Sequence, residues 1–163
     1  MKIGVVSDTH SYRIPQQVLD GLKKADLIVH AGDFCTVDDL NIFKKLNKVR
    51  AVTGNMDGLE LRQILPDHDM FEAEGKMIGL YHGHGAPEKV PFFVKAEFKK
   101  KKVDIVIFGH SHYPYNETEN GVLYFNPGSP NDLMRAPYRS YGMIEIKNGK
   151  ITAKIIKLKD SNG

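Results

Sequence analysis

At 163 residues, with 41% hydrophobic and 26% charged residues, the sequence has the size and balance of one folded domain and excludes a disordered or fibrous chain. A formal net charge of +3 is too weak to mark a nucleic-acid binder. The single cysteine, Cys35, excludes an internal disulfide framework, and the strand-like start KIGVVS, with no long apolar run anywhere, leads to the expectation of a cytoplasmic protein without a membrane span.

In chain order, KIGVVS (2–7), DLIVHAG (26–32), KVRAVTG (48–54) and VDIVIFG (103–109) read as buried strands, rich in Val and Ile and each closed by a Gly, Ser or Asp. Between them lie helix signals. Pro15 opens a segment with Val18, Leu19 and Leu22 at helical spacing, and Thr36 with Asp39 forms a capping-box pattern ahead of Leu40, Phe43 and Leu46. A third helix is expected from about 91 to 101, with Phe93, Val94 and Phe98 inward and the lysine run 99–102 as its solvated end.

Strand alternating with helix implies right-handed crossovers and a parallel sheet. The second half differs, because Glu74-Gly75, Asn120-Gly121 and Asn148-Gly149 each sit between strand-like runs and predict antiparallel hairpins. These strands either extend the first sheet or form a second one packed against it. No repeat, linker or low-complexity stretch divides the chain, so 1–163 is read as a single domain.

Polar residues fall at particular places on this map. Asp8 and His10 follow the first strand, Asp33 the second, Asn55 the third, His82 the run MIGLYHG, and His110 with His112 the run VDIVIFG. In an open α/β sheet the crevice beyond the carboxyl ends of the strands is where ligands bind, so these seven are expected to converge. Two carboxylates, a carboxamide and four imidazoles in one volume call for a divalent cation. The mixture of nitrogen and oxygen donors suits Mn, Fe, Co, Ni or Zn better than Ca. Seven donors exceed what one such ion takes, which favours two ions with Asp33 bridging, since its loop lies between those of Asp8 and Asn55.

Taken singly, the motifs are common turns. Taken in order, SDTH (7–10), GDF (32–34), GNMD (54–57), HGH (82–84), GHSH (109–112) and NPGS (126–129) resemble those of the calcineurin-like metallophosphoesterases, in particular the short single-domain phosphodiesterase branch. The resemblance implies a four-layer α/β/β/α sandwich with two mixed sheets. It also implies two metal ions, one held by Asp8, His10, Asp33 and His112 and the other by Asp33, Asn55, His82 and His110, with manganese first and nickel, iron, cobalt or zinc as alternatives. Two divalent ions against two carboxylates and a bridging hydroxide leave a formal excess of about one positive charge, which favours a phosphoester and in-line attack by that hydroxide.

The chain departs from the family pattern at Met56, where many members carry a histidine that protonates the leaving group. His84 is the alternative proton donor or substrate contact, and Arg13 and Arg135 are candidate phosphate partners. His30 and His68 read as packed or solvated, Asp57 as a brace for the Asn55 turn, Cys35 as packing and NPGS as a structural turn. The expected partner is a small phosphoester, with no membrane. Nucleic acid stays open as a substrate, although no basic patch interleaved with aromatics supports a nuclease. Homodimerisation is compatible with the resemblance. A retromer subunit shares this fold, with a degraded site and a surface that recruits partner proteins, so a metal-binding module that is weak or inactive in catalysis is the competing reading.

Overall fold

The computed structural model describes residues 1–159. The chain runs β1 (Lys2–Val6), α1 (Gln16–Leu22), β2 (Leu27–His30), α2 (Val37–Lys44), β3 (Val49–Ala51), α3 (Leu59–Ile64), β4 (His68–Ala73), β5 (Lys76–Tyr81), α4 (Val90–Phe98), β6 (Ile105–Ile107), β7 (Tyr115–Glu119), β8 (Val122–Asn126), β9 (Ser140–Lys147) and β10 (Lys150–Lys157).

Two five-stranded mixed sheets result, in the orders β10-β9-β1-β2-β3 and β4-β5-β6-β8-β7. In the first, β1, β2 and β3 are parallel and β9 turns back against β1. In the second, β5, β6 and β8 are parallel, flanked by antiparallel β4 and β7. The run VDIVIFG therefore belongs to the second sheet and does not extend the first. The three hairpins turn on Glu74-Gly75, Asn120-Gly121 and Asn148-Gly149, and both central residues of each have positive φ, as a tight two-residue turn between twisted strands requires.

Between the sheets lies one core, built from Ile3 and Val5 of β1, Val29 of β2, Ile78 and Leu80 of β5, Ile105 and Ile107 of β6, Phe125 of β8 and Ile144 and Ile146 of β9. Outside the first sheet, Val18 and Leu22 of α1, Leu40 and Phe43 of α2 and Leu61 of α3 pack on Val6, Ile28 and Ala51. Outside the second, Val90, Val94 and Phe98 of α4 cover Val106, Phe108 and Tyr124. The order of layers is thus α/β/β/α, the arrangement the resemblance implied.

The Thr36 capping box forms as read, with the Asp39 amide donating to Thr36 Oγ1 and the Thr36 amide to Asp39 Oδ2. Two expectations need correction. The helix expected over 91–101 starts at Val90 and ends at Phe98, and Phe93 is only half-buried, stacked on the His84 ring at 4.5 Å between centroids. The six-residue α3 was not foreseen. Among the described residues no helix is long and apolar enough to cross a membrane.

Candidate metal centre

Each strand that carries one of the seven residues stops a residue or more short of it, and the chain then turns sharply. Asp8, His10, Asp33, His110 and His112 all adopt left-handed backbone, with φ between 51° and 66°. Non-glycine residues seldom do so, and the cost of about 1 to 3 kcal/mol each is characteristic of sites where side-chain aim outweighs backbone comfort. Asp8, Asp33 and His82 are buried, His10, His110 and His112 are half-buried, and Asn55 is exposed, so the cluster has a closed floor and an open side.

All seven side chains meet. Asp33 Oδ2 lies 3.4 Å from His82 Nε2 and 3.7 Å from His10 Nε2, and Asp8 Oδ1 lies 3.3 Å from His112 Nε2 and 3.8 Å from His10 Nε2. Asn55 Oδ1 is 3.1 Å from His82 Nε2 and 2.9 Å from His110 Nδ1, and His10 Nε2 is 3.1 Å from His112 Nε2. The donor atoms of Asp8, His10 and His112 lie within 4.8 Å of one another, and so do those of Asp8, Asp33 and His82.

The electrostatics are those of a cation site. Among the described residues Asp8 Oδ1 is buried without a hydrogen-bond partner, a costly state for a carboxylate oxygen unless a positive charge faces it. Burial pushes the Asp8 carboxyl up, but contact with His112, the charges of His82 and His112 and the Ser7 hydroxyl outweigh it and hold it at about 2. Burial pushes His82 and His112 down, yet the carboxylates beside them, Asp33 and Asp8 for His82 and Asp8 and Asp132 for His112, raise both to about 9. Burial and the neighbouring His82 lower His110. With its Nε2 hydrogen donated to the Gly85 carbonyl, a neutral His110 turns the Nδ1 lone pair toward Asn55 Oδ1. Two acceptors facing each other are reconciled by a cation that both can ligate. The donor set therefore fits divalent metal.

The sequence model of the calcineurin-like phosphoesterase superfamily domain matches residues 1–149. The chain belongs to that superfamily. Among its curated relatives is a probable metallophosphoesterase of Methanocaldococcus jannaschii, 36% identical over 98% of this chain and 83% of the relative. A phosphodiesterase of the same organism is 30% identical over 78% of this chain and 83% of its own length. Among solved structures, zinc-complexed Vps29 of Entamoeba histolytica superposes with a TM-score of 0.73 at 25% identity, covering 96% of this chain and 99% of that one. This calcineurin-like phosphoesterase is accordingly a metal-dependent phosphoric ester hydrolase.

Several buried groups hold the loops of the phosphoesterase in place. The Asp57 carboxylate accepts three backbone amides, those of Asp33 (3.0 Å), Cys35 (2.8 Å) and Gly54 (2.7 Å), and so ties the GDF and GNMD turns together. Gly54 packs so closely there that a Cβ would fall 2.1 Å from Asp33 Oδ1. Asn126 donates to the Gly109 carbonyl and Ser111 Oγ while its own oxygen takes the Gly128 amide, and Ser129 Oγ donates to the Asp8 carbonyl. NPGS is thus a buried buttress under Asp8 and GHSH. His30 is in the core, stacked on Phe34 at 3.5 Å, accepting the Gly32 amide at Nδ1 and paired with Thr9 Oγ1 through Nε2.

The remaining candidates stand at the edge. His84 is exposed, with Nδ1 2.8 Å from the Tyr81 hydroxyl, in the same loop as the Gly85 carbonyl that holds His110. Exposed Met56 follows Asn55 and gives its amide to Asp33 Oδ1 at 2.8 Å. Arg13 lines a groove with Ile42 and Leu158 that includes none of the seven. Arg135 is exposed on the loop that also carries Asp132, whose Oδ2 lies 2.5 Å from His112 Nδ1. Sequence reasoning passed over Asp132, because a carboxylate twenty positions beyond its histidine, in an irregular loop, belongs to no motif.

Proposed function

We propose that the chain is a phosphodiesterase with a dinuclear centre, one ion held by Asp8, His10, Asp33 and His112 and the other by Asp33, Asn55, His82 and His110. The observation that carries this reading is Asp33 Oδ2, 3.7 Å from His10 Nε2 and 3.4 Å from His82 Nε2, where one oxygen can serve both sets at shorter distances than Asp8 Oδ1, at 3.8 and 3.9 Å from the same nitrogens. Ions held there supply Lewis acidity and an activated water for in-line attack at phosphorus, with manganese the first choice and nickel, iron, cobalt or zinc the alternatives.

The protein's own side chains set the rest. Asp8 and Asp33 anchor the charge at the buried floor, and the half-buried imidazoles with exposed Asn55 leave the side from which a phosphoester's oxygens enter. Met56 has no proton to give a departing alkoxide. That task falls to His84, or else to leaving groups acidic enough to need no help. If His84 donates, His84→Ala lowers turnover of alkyl-leaving diesters by about 100-fold or more and spares aryl-leaving ones, the range general acids contribute. Equal losses on both series would remove that role. Arg135 is the better placed of the two arginines to meet substrate.

Metal affinity is expected to rise with pH. His82 and His112 are protonated in the metal-free protein up to about pH 9, and each must lose the proton on the ligating nitrogen for an ion to bind. Below that value binding releases protons, and it releases fewer as the pH climbs. Calorimetric titrations in buffers of differing ionisation heat measure this release directly, and an affinity flat from pH 6 to about 9 would contradict it.

The function is tested by stripping the protein with chelator, restoring Mn, Ni, Co, Zn or Mg singly, and assaying an aryl phosphodiester beside an aryl phosphomonoester. Turnover restored on the diester above the monoester is expected. Full metal uptake without turnover on either would favour a partner-recruiting module.

A further inference from the structure

Three of the site imidazoles use one ring nitrogen toward the cluster and the other toward a fixed acceptor. For His82 that acceptor is the Ala31 carbonyl, at 2.6 Å from Nδ1, and for His110 it is the Gly85 carbonyl, at 3.0 Å from Nε2. For His112 it is a side chain, Asp132, with Oδ2 2.5 Å from Nδ1.

We propose that Asp132 is a positioning residue of the metal centre, fixing the tautomer and aim of His112 so that its Nε2 lone pair faces the ion. The inference rests on the metal-centre reading above and extends it to a residue outside the motifs that carry the resemblance.

Asp132 is itself clamped. Its Oδ1 accepts the amides of Met134 (2.7 Å) and Arg135 (2.9 Å), which leaves Oδ2 for His112. Its own amide donates to Ser129 Oγ, the hydroxyl that donates onward to the Asp8 carbonyl, and the adjacent Asn131 side chain donates to the Thr9 carbonyl. The carboxylate is thus registered against the loop that carries Asp8 and His10, two of the proposed co-ligands of His112. A hydrogen on Nδ1, donated to Asp132, leaves Nε2 free to ligate, 3.3 Å from Asp8 Oδ1 and 3.1 Å from His10 Nε2. The opposite tautomer would point a hydrogen at the ion. A carboxylate partner also makes the imidazole a stronger ligand than a carbonyl partner does, and loss of such a group typically weakens metal binding 10- to 100-fold.

Asparagine separates positioning from mere loop anchoring. In Asp132→Asn the side-chain oxygen can still accept the Met134 and Arg135 amides, but the group turned to His112 becomes a neutral NH2, a donor facing a donor. Asp132→Ala loses both functions. The experiment is a calorimetric titration of chelator-stripped wild type, Asp132→Asn and Asp132→Ala with Mn alone. Thermal melting of each metal-free protein confirms folding, and imidazole 15N shifts of the zinc-loaded forms report the His112 tautomer.

The expected result is that Asp132→Asn binds one of its two ions about 10- to 100-fold more weakly and the other as wild type does, with the His112 tautomer altered. Asparagine with wild-type affinity for both ions, where alanine is impaired, would overturn positioning and leave only an anchor. Wild type that takes up no ion would overturn the metal-centre reading and this inference with it, a result visible before any variant is compared.

Discussion

Asp33→Asn is expected to lower kcat/KM on an aryl phosphodiester by more than about 100-fold, the upper end of what losing a mere support of a ligand costs. Asp33 Oδ2 stands at 3.7 Å from His10 Nε2 and 3.4 Å from His82 Nε2, closer to both proposed ligand sets than Asp8 Oδ1, which lies 3.8 and 3.9 Å from the same two nitrogens. Asparagine keeps the shape, and its oxygen can still take the Met56 amide that Asp33 Oδ1 takes at 2.8 Å. The turn should hold while the second lone-pair-bearing oxygen is replaced by an NH2 that cannot ligate. Steady-state kinetics with a metal-content measurement check this, and melting of the metal-free variant close to wild type separates it from unfolding. Near-normal turnover would mean that Asp33 does not bridge.

Asp57→Ala is expected to destabilise the fold by about 3 kcal/mol or more. Its carboxylate is the acceptor for three amides, those of Asp33, Cys35 and Gly54, and the residue is 5% exposed, so water does not readily replace it. Hydrogen bonds to a charged group contribute about 1.5 to 3 kcal/mol each, and donors left buried without an acceptor add their desolvation cost. Asp57→Asn should fall between, because Oδ2 serves Asp33 and Gly54 together while Oδ1 serves Cys35, and an amide oxygen can take the first pair and lose only the third. Urea unfolding of the metal-free proteins ranks the three. An alanine variant as stable as wild type would show that solvent reaches those amides.

How legible each element is in the sequence depends on how far its signal extends along the chain. The strands announced themselves because Val5, Val29 and Ile107 sit in unbroken apolar runs, and the hairpins because Asn120-Gly121 and Asn148-Gly149 supply the positive φ their turns need. The seven site residues were legible because each follows such a run. Strand composition carries no record of which sheet a strand joins, however, and β6 pairs with β5 and β8 only through contacts made across the fold. Phe93 has the spacing of a core residue, but it lies at the start of α4, where the His84 loop offers its ring a partner. In α3 six residues give too little periodicity to register. Asp132 was invisible for a different reason: its partner, His112, becomes a neighbour only once β8 has returned the chain to the mouth of β6.

The proposed dinuclear centre requires two ions to share one site. Chelator-stripped protein titrated with Mn(II) and followed by low-temperature electron paramagnetic resonance tests it directly, because ions bridged at roughly 3.5 to 4 Å couple magnetically and isolated ions do not. Saturation near two ions per chain with an exchange-coupled spectrum is the expected result. Saturation at a single uncoupled ion, or no uptake, would contradict it.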